Sequence, residues 1–115
     1  MKATIWHNPR CSKSRQSLAL LQEAGLDPEV IEYLKDPPTA AELSEILDSL
    51  QMEPTDLMRT GEAVYQELGL REKQLNRQEA IETMRQHPVL IERPIVVKGN
   101  QAVIGRPPEN VKTLF

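Results

Sequence analysis

The first third of the chain carries strand, helix and strand signals in succession, and this order limits the folds open to it. Ala3–Trp6 is apolar and contains β-branched residues, which favours a strand. Ser12–Ala24 has helical spacing and is followed by Gly25, a common residue after a helix end. Glu29–Tyr33 is a second strand candidate. Such a βαβ unit predicts two parallel strands joined by a right-handed crossover.

The middle of the chain is predicted to be helical. Thr39–Glu42 has the capping-box pattern, and Asn76–Glu79 resembles it, so each is expected to begin a helix. Shorter helices are predicted at Pro54–Met58 and Glu62–Leu68. We therefore expect a helical block over about residues 39–90.

Strand signals return in the last third. Ile95–Lys98 and Gln101–Ile104 are separated by Gly99-Asn100, which predicts a hairpin with a two-residue turn. A last helix is expected to start at Pro107 or Pro108. Together these elements predict an α/β protein with a thioredoxin-like, four-stranded mixed sheet. The chain, residues 1–115, is short enough to form a single domain with the helical block as an insertion.

The loop between the first strand and the first helix contains the only cysteine, Cys11. Asn8 and Pro9 are turn residues, and Ser12 is expected to cap the helix that follows. Cys11 would then lie at or beside a helix N-terminus, where free backbone N–H groups favour a thiolate. Along the helix itself, Leu18, Leu21 and Ala24 are expected to share a packed face.

Charge and composition narrow the function classes. The first 22 residues hold four basic side chains, Lys2 included, and no acidic one, so the remaining 93 residues carry a net charge of −7. The acidic balance of the whole chain argues against a general nucleic-acid binder, and no apolar run suits a membrane span. One cysteine excludes an internal disulfide and a multi-cysteine metal site. Because the first residues also lack the apolar core of a secretory signal, we expect a cytoplasmic protein.

Two neighbours of Cys11 are candidates for tuning its reactivity. His7 could favour the thiolate as an imidazolium, accept its proton as a neutral imidazole, or only hold the loop by hydrogen bonds. Ser14 stands where the second cysteine of a Cys-x-x-Cys motif would be. Its hydroxyl could donate a hydrogen bond to the thiolate or accept one from an early backbone N–H of the helix. Any disulfide of Cys11 must form with a thiol outside the chain.

Three arginines stand beside turns or strand ends, namely Arg59, Arg93 and Arg106. Planar guanidinium groups suit tetrahedral oxyanions, and their convergence on a thiolate would make an anion site. Spacing alone leaves open whether they converge or lie on the surface.

Five segments follow one another along the chain: His7–Arg15 (HNPRCSKSR), Tyr33–Pro38 (YLKDPP), Leu57–Arg59 (LMR), His87–Val97 (HPVLIERPIVV) and Gly105–Glu109 (GRPPE). In this order they resemble segments of the glutaredoxin-coupled arsenate reductases. The resemblance covers nearly the whole chain. Gly105 stands where some arsenate reductases have a larger residue.

The resemblance implies a function and a role for each candidate residue. Cys11 matches the nucleophile, and His7 and Ser14 match residues that tune its thiolate. The oxyanion-binding arginines of the family are matched by Arg59, Arg93 and Arg106, each in a different one of these segments. Pro94 matches a proline that follows a cis peptide bond near the thiol.

The chemistry that the resemblance implies is reduction of arsenate to arsenite. The thiolate forms an adduct with arsenate, glutathione attacks next, and glutaredoxin removes the glutathione as arsenite leaves. Glutathione is then a co-substrate, with no bound cofactor and no metal, and the protein is expected to be a monomer that binds neither nucleic acid nor membrane.

Two alternatives share the fold. One is a redox-sensing transcription regulator of the Spx type, which binds RNA polymerase and generally carries Cys-x-x-Cys. The other is a glutathione-dependent thiol oxidoreductase with another substrate. Ser14 in place of a second cysteine counts against the first, and the three arginines together favour the reductase over both.

Overall fold

The structure, a computed structural model, describes residues 3–115. Lys2, counted above in the positive N-terminal stretch, lies outside the described residues. The chain divides into two compact units, one formed by residues up to 36 together with 93–115 and the other by residues 37–92. The expectation of a single domain with an insertion at about 39–90 stays a prediction.

The first unit contains a four-stranded mixed sheet. Its strands are β1 (Ala3–His7), β2 (Glu29–Glu32), β3 (Ile95–Lys98) and β4 (Gln101–Ile104), in the order β2-β1-β3-β4. β1 pairs parallel with β2 and antiparallel with β3, and β3 pairs antiparallel with β4. This is the predicted α/β arrangement, and the predicted hairpin has the predicted boundaries.

Helix α1 (Ser12–Glu23) connects β1 to β2, and a 3₁₀ helix (Pro108–Leu114) follows β4. Both pack against one face of the sheet. The core on this face consists of Ile5, Leu21, Val96, Val111 and Leu114. Burying each such side chain stabilises the fold by roughly 1.5–3 kcal/mol. The core therefore holds α1, through Leu21, against this face of the sheet.

The buried face of α1 matches the predicted one only in part. Leu21 is fully buried and Leu18 packs partly buried against the same core, as predicted, but Ala24 is exposed at the C-terminal end. The other buried side chains of the helix are Ser14 and Ser17. The helix cap was also predicted wrongly, because Cys11, not Ser12, is the N-cap residue. Serine is mostly an exposed residue type, so the hydrophobic pattern does not reveal this face.

The second unit is helical. It contains α2 (Ala40–Leu50), α3 (Pro54–Leu57), α4 (Ala63–Glu67), α5 (Arg77–Gln86) and a 3₁₀ turn at Pro88–Leu90. Helix α5 packs against α2, α3 and the 3₁₀ turn. The buried apolar side chains of this unit include Leu43, Ile46, Leu47, Leu57, Ala80, Ile81, Met84 and Leu90. Among residues 3–115, no helix combines the length and apolar character needed to cross a membrane.

Both predicted capping boxes are present. The Thr39 hydroxyl accepts from the Glu42 backbone N–H at 3.1 Å, and the Glu42 carboxylate accepts from the Thr39 N–H at 2.9 Å. Asn76 and Glu79 make the same reciprocal pair at the start of α5, at 2.8 and 3.0 Å. Each box satisfies two N–H groups that have no partner within the helix.

Replacing Thr39 with alanine should lower the free energy of unfolding by about 1 kcal/mol, because α2 loses a side-chain cap. Urea unfolding followed by circular dichroism measures the change. The control is Thr55→Ala, an exposed position in α3, which should change the value by less than about 0.5 kcal/mol. Equal effects of the two substitutions would contradict the capping interpretation.

Candidate active site

Cys11 is the N-cap residue of α1 and is only 8% exposed. Its backbone N–H donates to the Asn8 carbonyl at 3.0 Å, and its carbonyl accepts from the Arg15 N–H at 3.0 Å. Asn8 also folds the loop, since its Oδ1 accepts from the Arg10 N–H at 3.0 Å. This turn places the thiol at the beginning of the helix. The sequence showed Asn8 only as a turn residue, without this bond.

The pKa of the Cys11 thiol is lowered by its surroundings. Burial acts in the opposite direction and would raise the pKa, but the backbone N–H of Ser14, the positive charge of Arg93 and the backbone N–H of Lys13 together outweigh it. A hydrogen bond from the Arg93 side chain adds to the effect. Because all of these groups stabilise the negative charge, the thiolate is the favoured form over a wider pH range than for a free thiol.

Arg106 also reaches the sulfur. Its Nη2 lies 3.5 Å from Cys11 Sγ, and its Nε donates to the Arg93 carbonyl at 2.8 Å. Two of the three candidate arginines therefore stand beside Cys11 within the first unit. A thiolate with two guanidinium groups can attract a small anion and hold it next to the nucleophilic sulfur.

His7 and Ser14 form a hydrogen bond beneath the loop. Ser14 Oγ and His7 Nδ1 are 2.6 Å apart, and both side chains are buried. Ser14 Oγ also accepts from the Asn8 backbone N–H at 3.0 Å. The Ser14 hydroxyl therefore serves the loop and the histidine, while its backbone N–H is the group that favours the thiolate.

The ionisation of His7 follows from its burial. Desolvation lowers the pKa of His7, Glu32 on the neighbouring strand raises it, and Arg15 lowers it, with a net decrease. A neutral imidazole can accept a hydrogen bond from the Ser14 hydroxyl at Nδ1. This contact and the lowered pKa favour the neutral imidazole over the imidazolium, and the role of His7 at the thiol stays a prediction.

Arg59 lies in the second unit, directly after α3. The Arg59 N–H donates to the Leu90 carbonyl at 2.7 Å, and the Glu92 N–H donates to the Leu57 carbonyl at 2.9 Å. Its Nε donates to Glu62 at 3.1 Å and its Nη1 to Glu92 at 2.9 Å. Burial would lower the pKa of Arg59, but the two carboxylates raise it overall. Neither glutamate was predicted from the sequence, because nothing in their spacing distinguishes them from surface acids.

Pro94 lies immediately before β3, and its peptide bond with Arg93 is cis. The Pro94 carbonyl accepts from the Gly105 N–H at 2.9 Å. A second cis bond, Arg106–Pro107, was not predicted. Within the described part of the chain, no three His, Cys, Asp or Glu side chains cluster as metal ligands would.

Comparison with known proteins shows which family this chain belongs to. The model of the ArsC family matches residues 6–114. The chain belongs to the ArsC family. It is 50% identical over 108 residues to the uncharacterised protein YfgD of Escherichia coli K12, covering 93% of this chain and 91% of YfgD. It is 42% identical over 112 residues to an arsenate reductase of Neisseria meningitidis serogroup B, covering 96% of each protein.

Solved structures agree with this membership. An arsenate reductase from Vibrio cholerae superimposes with a TM-score of 0.95 at 46% identity, covering all of this chain and 98% of the other. This likeness confirms the predicted thioredoxin-like fold class. The assignment of individual roles to His7, Cys11, Ser14, Arg59, Arg93, Pro94 and Arg106 stays a prediction.

The lowered pKa of Cys11 predicts how its alkylation depends on pH. The rate of modification by iodoacetamide should rise as pH passes through a midpoint below the value of about 8.5 for a free thiol, because only the thiolate reacts. Intact-mass spectrometry measures the rate, with Cys11→Ser as the blank. A midpoint at or above 8.5 would show that the donors do not overcome burial.

Proposed function

We propose that this protein is an arsenate reductase in which Cys11 is the nucleophile. The observation that carries the proposal is the distance of 3.5 Å between Arg106 Nη2 and the Cys11 sulfur. The charge of Arg93 lowers the pKa of the same thiol. The arsenate reductases among its relatives share about 40% identity over almost the whole of this chain. Membership of the family and the local chemistry therefore point to the same reaction.

The first step is binding of the oxyanion by guanidinium groups. Arg93 and Arg106 supply charge and planar donors beside the sulfur, which suits a tetrahedral anion. By its likeness to the family, Arg59 is the third ligand. Its guanidinium already forms ion pairs with Glu62 and Glu92, whose negative charges offset its own. Its remaining N–H donors would therefore orient the bound oxyanion more than they attract it.

The second step is covalent. The Cys11 thiolate attacks arsenic, an As–O bond breaks, and the departing oxygen leaves as water after taking up protons. Lys13 and Ser14 backbone N–H groups hold the sulfur in its ionised state before the attack. His7 and Ser14 hold the loop that carries it.

Reduction requires thiols from outside the chain, because Cys11 is the only cysteine. We propose that glutathione attacks the adduct and that glutaredoxin removes the glutathione as arsenite leaves. Over the cycle two external thiols are oxidised to a disulfide, and arsenic accepts their two electrons. A monomer in the cytoplasm, where glutathione keeps thiols reduced, completes the proposal.

The proposal predicts that each arginine contributes to reduction. Replacing Arg93 or Arg106 with alanine should lower kcat/KM for arsenate by about tenfold to a hundredfold, which corresponds to about 1.5–3 kcal/mol for bonds to a charged group. The loss in kcat/KM for Arg59→Ala should lie in the same range. Lysine in place of each arginine should restore activity only partly, because it lacks the planar guanidinium fork. Arsenate-dependent NADPH oxidation, coupled through glutathione, glutaredoxin and glutathione reductase, measures the rates.

Glutathionylation of Cys11 provides the control for these variants, because it does not use the oxyanion. Its rate should change much less than arsenate reduction. Equal losses in both rates would indicate a damaged fold, and full arsenate reduction in all three variants would exclude the anion site.

External resolution makes a separate prediction. Oxidised glutathione should add one glutathione to the chain at Cys11, and glutaredoxin should remove it. Intact-mass spectrometry detects the adduct, and Cys11→Ser should give none. An adduct that glutaredoxin cannot remove would argue for a role other than this enzymatic cycle.

A further inference from the structure

Gly105, the residue before Arg106, is a glycine because there is no space for a side chain. A Cβ at this position would lie 2.2 Å from Ser17 Oγ, 2.8 Å from Pro94 Cγ and 3.2 Å from Ser17 Cβ. Real Cβ atoms essentially never approach other heavy atoms below 3.0 Å. Gly105 is not in the left-handed φ region, in contrast to Gly25, Gly69 and Gly99. Its lack of a side chain is therefore a packing requirement and not a conformational one.

Ser17 supplies the other side of this contact. It is fully buried on α1, and among the described residues its hydroxyl has no hydrogen-bond partner. A buried hydroxyl without a partner is unfavourable, so hydrogen bonding does not explain the residue. Its small size does, since it allows the backbone of Gly105 to approach the helix.

Hydrogen bonds connect this contact to the active site. The Gly105 N–H donates to the Pro94 carbonyl at 2.9 Å, and Arg106 Nε donates to the Arg93 carbonyl at 2.8 Å. Two successive residues after β4 are thus bonded to two successive residues before β3. From this position Arg106 Nη2 reaches Cys11 Sγ at 3.5 Å. A shift of the backbone at Gly105 would therefore move the guanidinium relative to the sulfur.

We propose that Ser17, Pro94 and Gly105 form a close contact, the Gly105 contact, that sets the distance between the Arg106 guanidinium and the Cys11 sulfur. Gly105 is then a positioning residue for the oxyanion. This inference rests on the proposed function for its biological meaning, but the position of Arg106 can be tested without arsenate.

The test compares two alkylating reagents on Cys11. With iodoacetate or iodoacetamide the thiolate attacks the CH₂ carbon, iodide leaves, and a thioether forms. Only iodoacetate is an anion, so the ratio of the two rates reports the positive charge near the sulfur. Arg106→Ala gives the ratio expected when that guanidinium is absent.

Gly105→Ala should lower the iodoacetate-to-iodoacetamide ratio several-fold, towards the value for Arg106→Ala. The added methyl group displaces the backbone at residue 105 and moves the Arg106 guanidinium away from its hydrogen bond with Cys11 Sγ. The double variant Ser17→Gly with Gly105→Ala removes the two contacts with Ser17 and leaves the one with Pro94 Cγ at 2.8 Å, so it should restore the ratio in part. Gly61→Ala is the matched control, because a Cβ there meets no atom within 4 Å and its ratio should be that of the wild type.

Two results would overturn the inference. One is a wild-type ratio in folded Gly105→Ala. The other is a folded double variant whose ratio shows no recovery above that of Arg106→Ala. This second result also decides the matter if the single variant does not fold. Thermal unfolding of each variant separates loss of fold from loss of position.

Arsenate kinetics on the same variants separate this inference from the proposed function. If the inference is correct, kcat/KM for arsenate falls by about tenfold in Gly105→Ala, on the scale of one hydrogen bond to a charged group, while the rate of Cys11 glutathionylation changes much less. Wild-type protein that reduces no arsenate would defeat the proposed function, whereas the alkylation ratios would still test the Gly105 contact.

Discussion

The competition between burial and hydrogen-bond donation at Cys11 is the constraint on which the site depends. Cys11 is only 8% exposed, and its burial alone would raise the pKa of the thiol. Two backbone N–H groups at the start of α1 and the guanidinium of Arg93 reverse the outcome. These donors are effective only because the helix begins at Ser12 and because Arg93 stands at the entrance to β3. The chemistry thus relies on the parallel βαβ unit and on the hairpin together.

The arginines differ in their hydrogen-bond partners. Arg106 donates to the Arg93 backbone carbonyl and reaches the Cys11 sulfur. Arg59 donates to the carboxylates of Glu62 and Glu92, whose negative charges offset its own. Arginines that look equivalent in the sequence therefore make different contacts in the fold, Arg106 at the sulfur and Arg59 with acidic side chains.

The features predicted correctly from sequence are those with local signals. The capping boxes at Thr39 and Asn76 depend on residues three positions apart, and the Gly99-Asn100 hairpin depends on a two-residue turn. The features that were missed depend on residues distant in the chain. Ser17 is buried because Gly105 packs against it, and their separation of 88 positions leaves no periodic signal. Likewise, nothing near Arg59 in the sequence indicates its bond with Glu92.

The three longest helices begin in different ways. Thr39 and Asn76 cap the starts of their helices with side-chain oxygens, whereas the N-cap residue of α1 is Cys11. At the first turn of α1 the Lys13 and Ser14 N–H groups favour a negative charge on the sulfur, and that charge in turn stabilises the turn. Protonation or covalent modification of Cys11 removes that charge, so the first turn should loosen whenever the thiolate is consumed. The exchange rates of the Lys13 and Ser14 amide hydrogens would then report whether the Cys11 side chain, two or three residues away, is a thiolate.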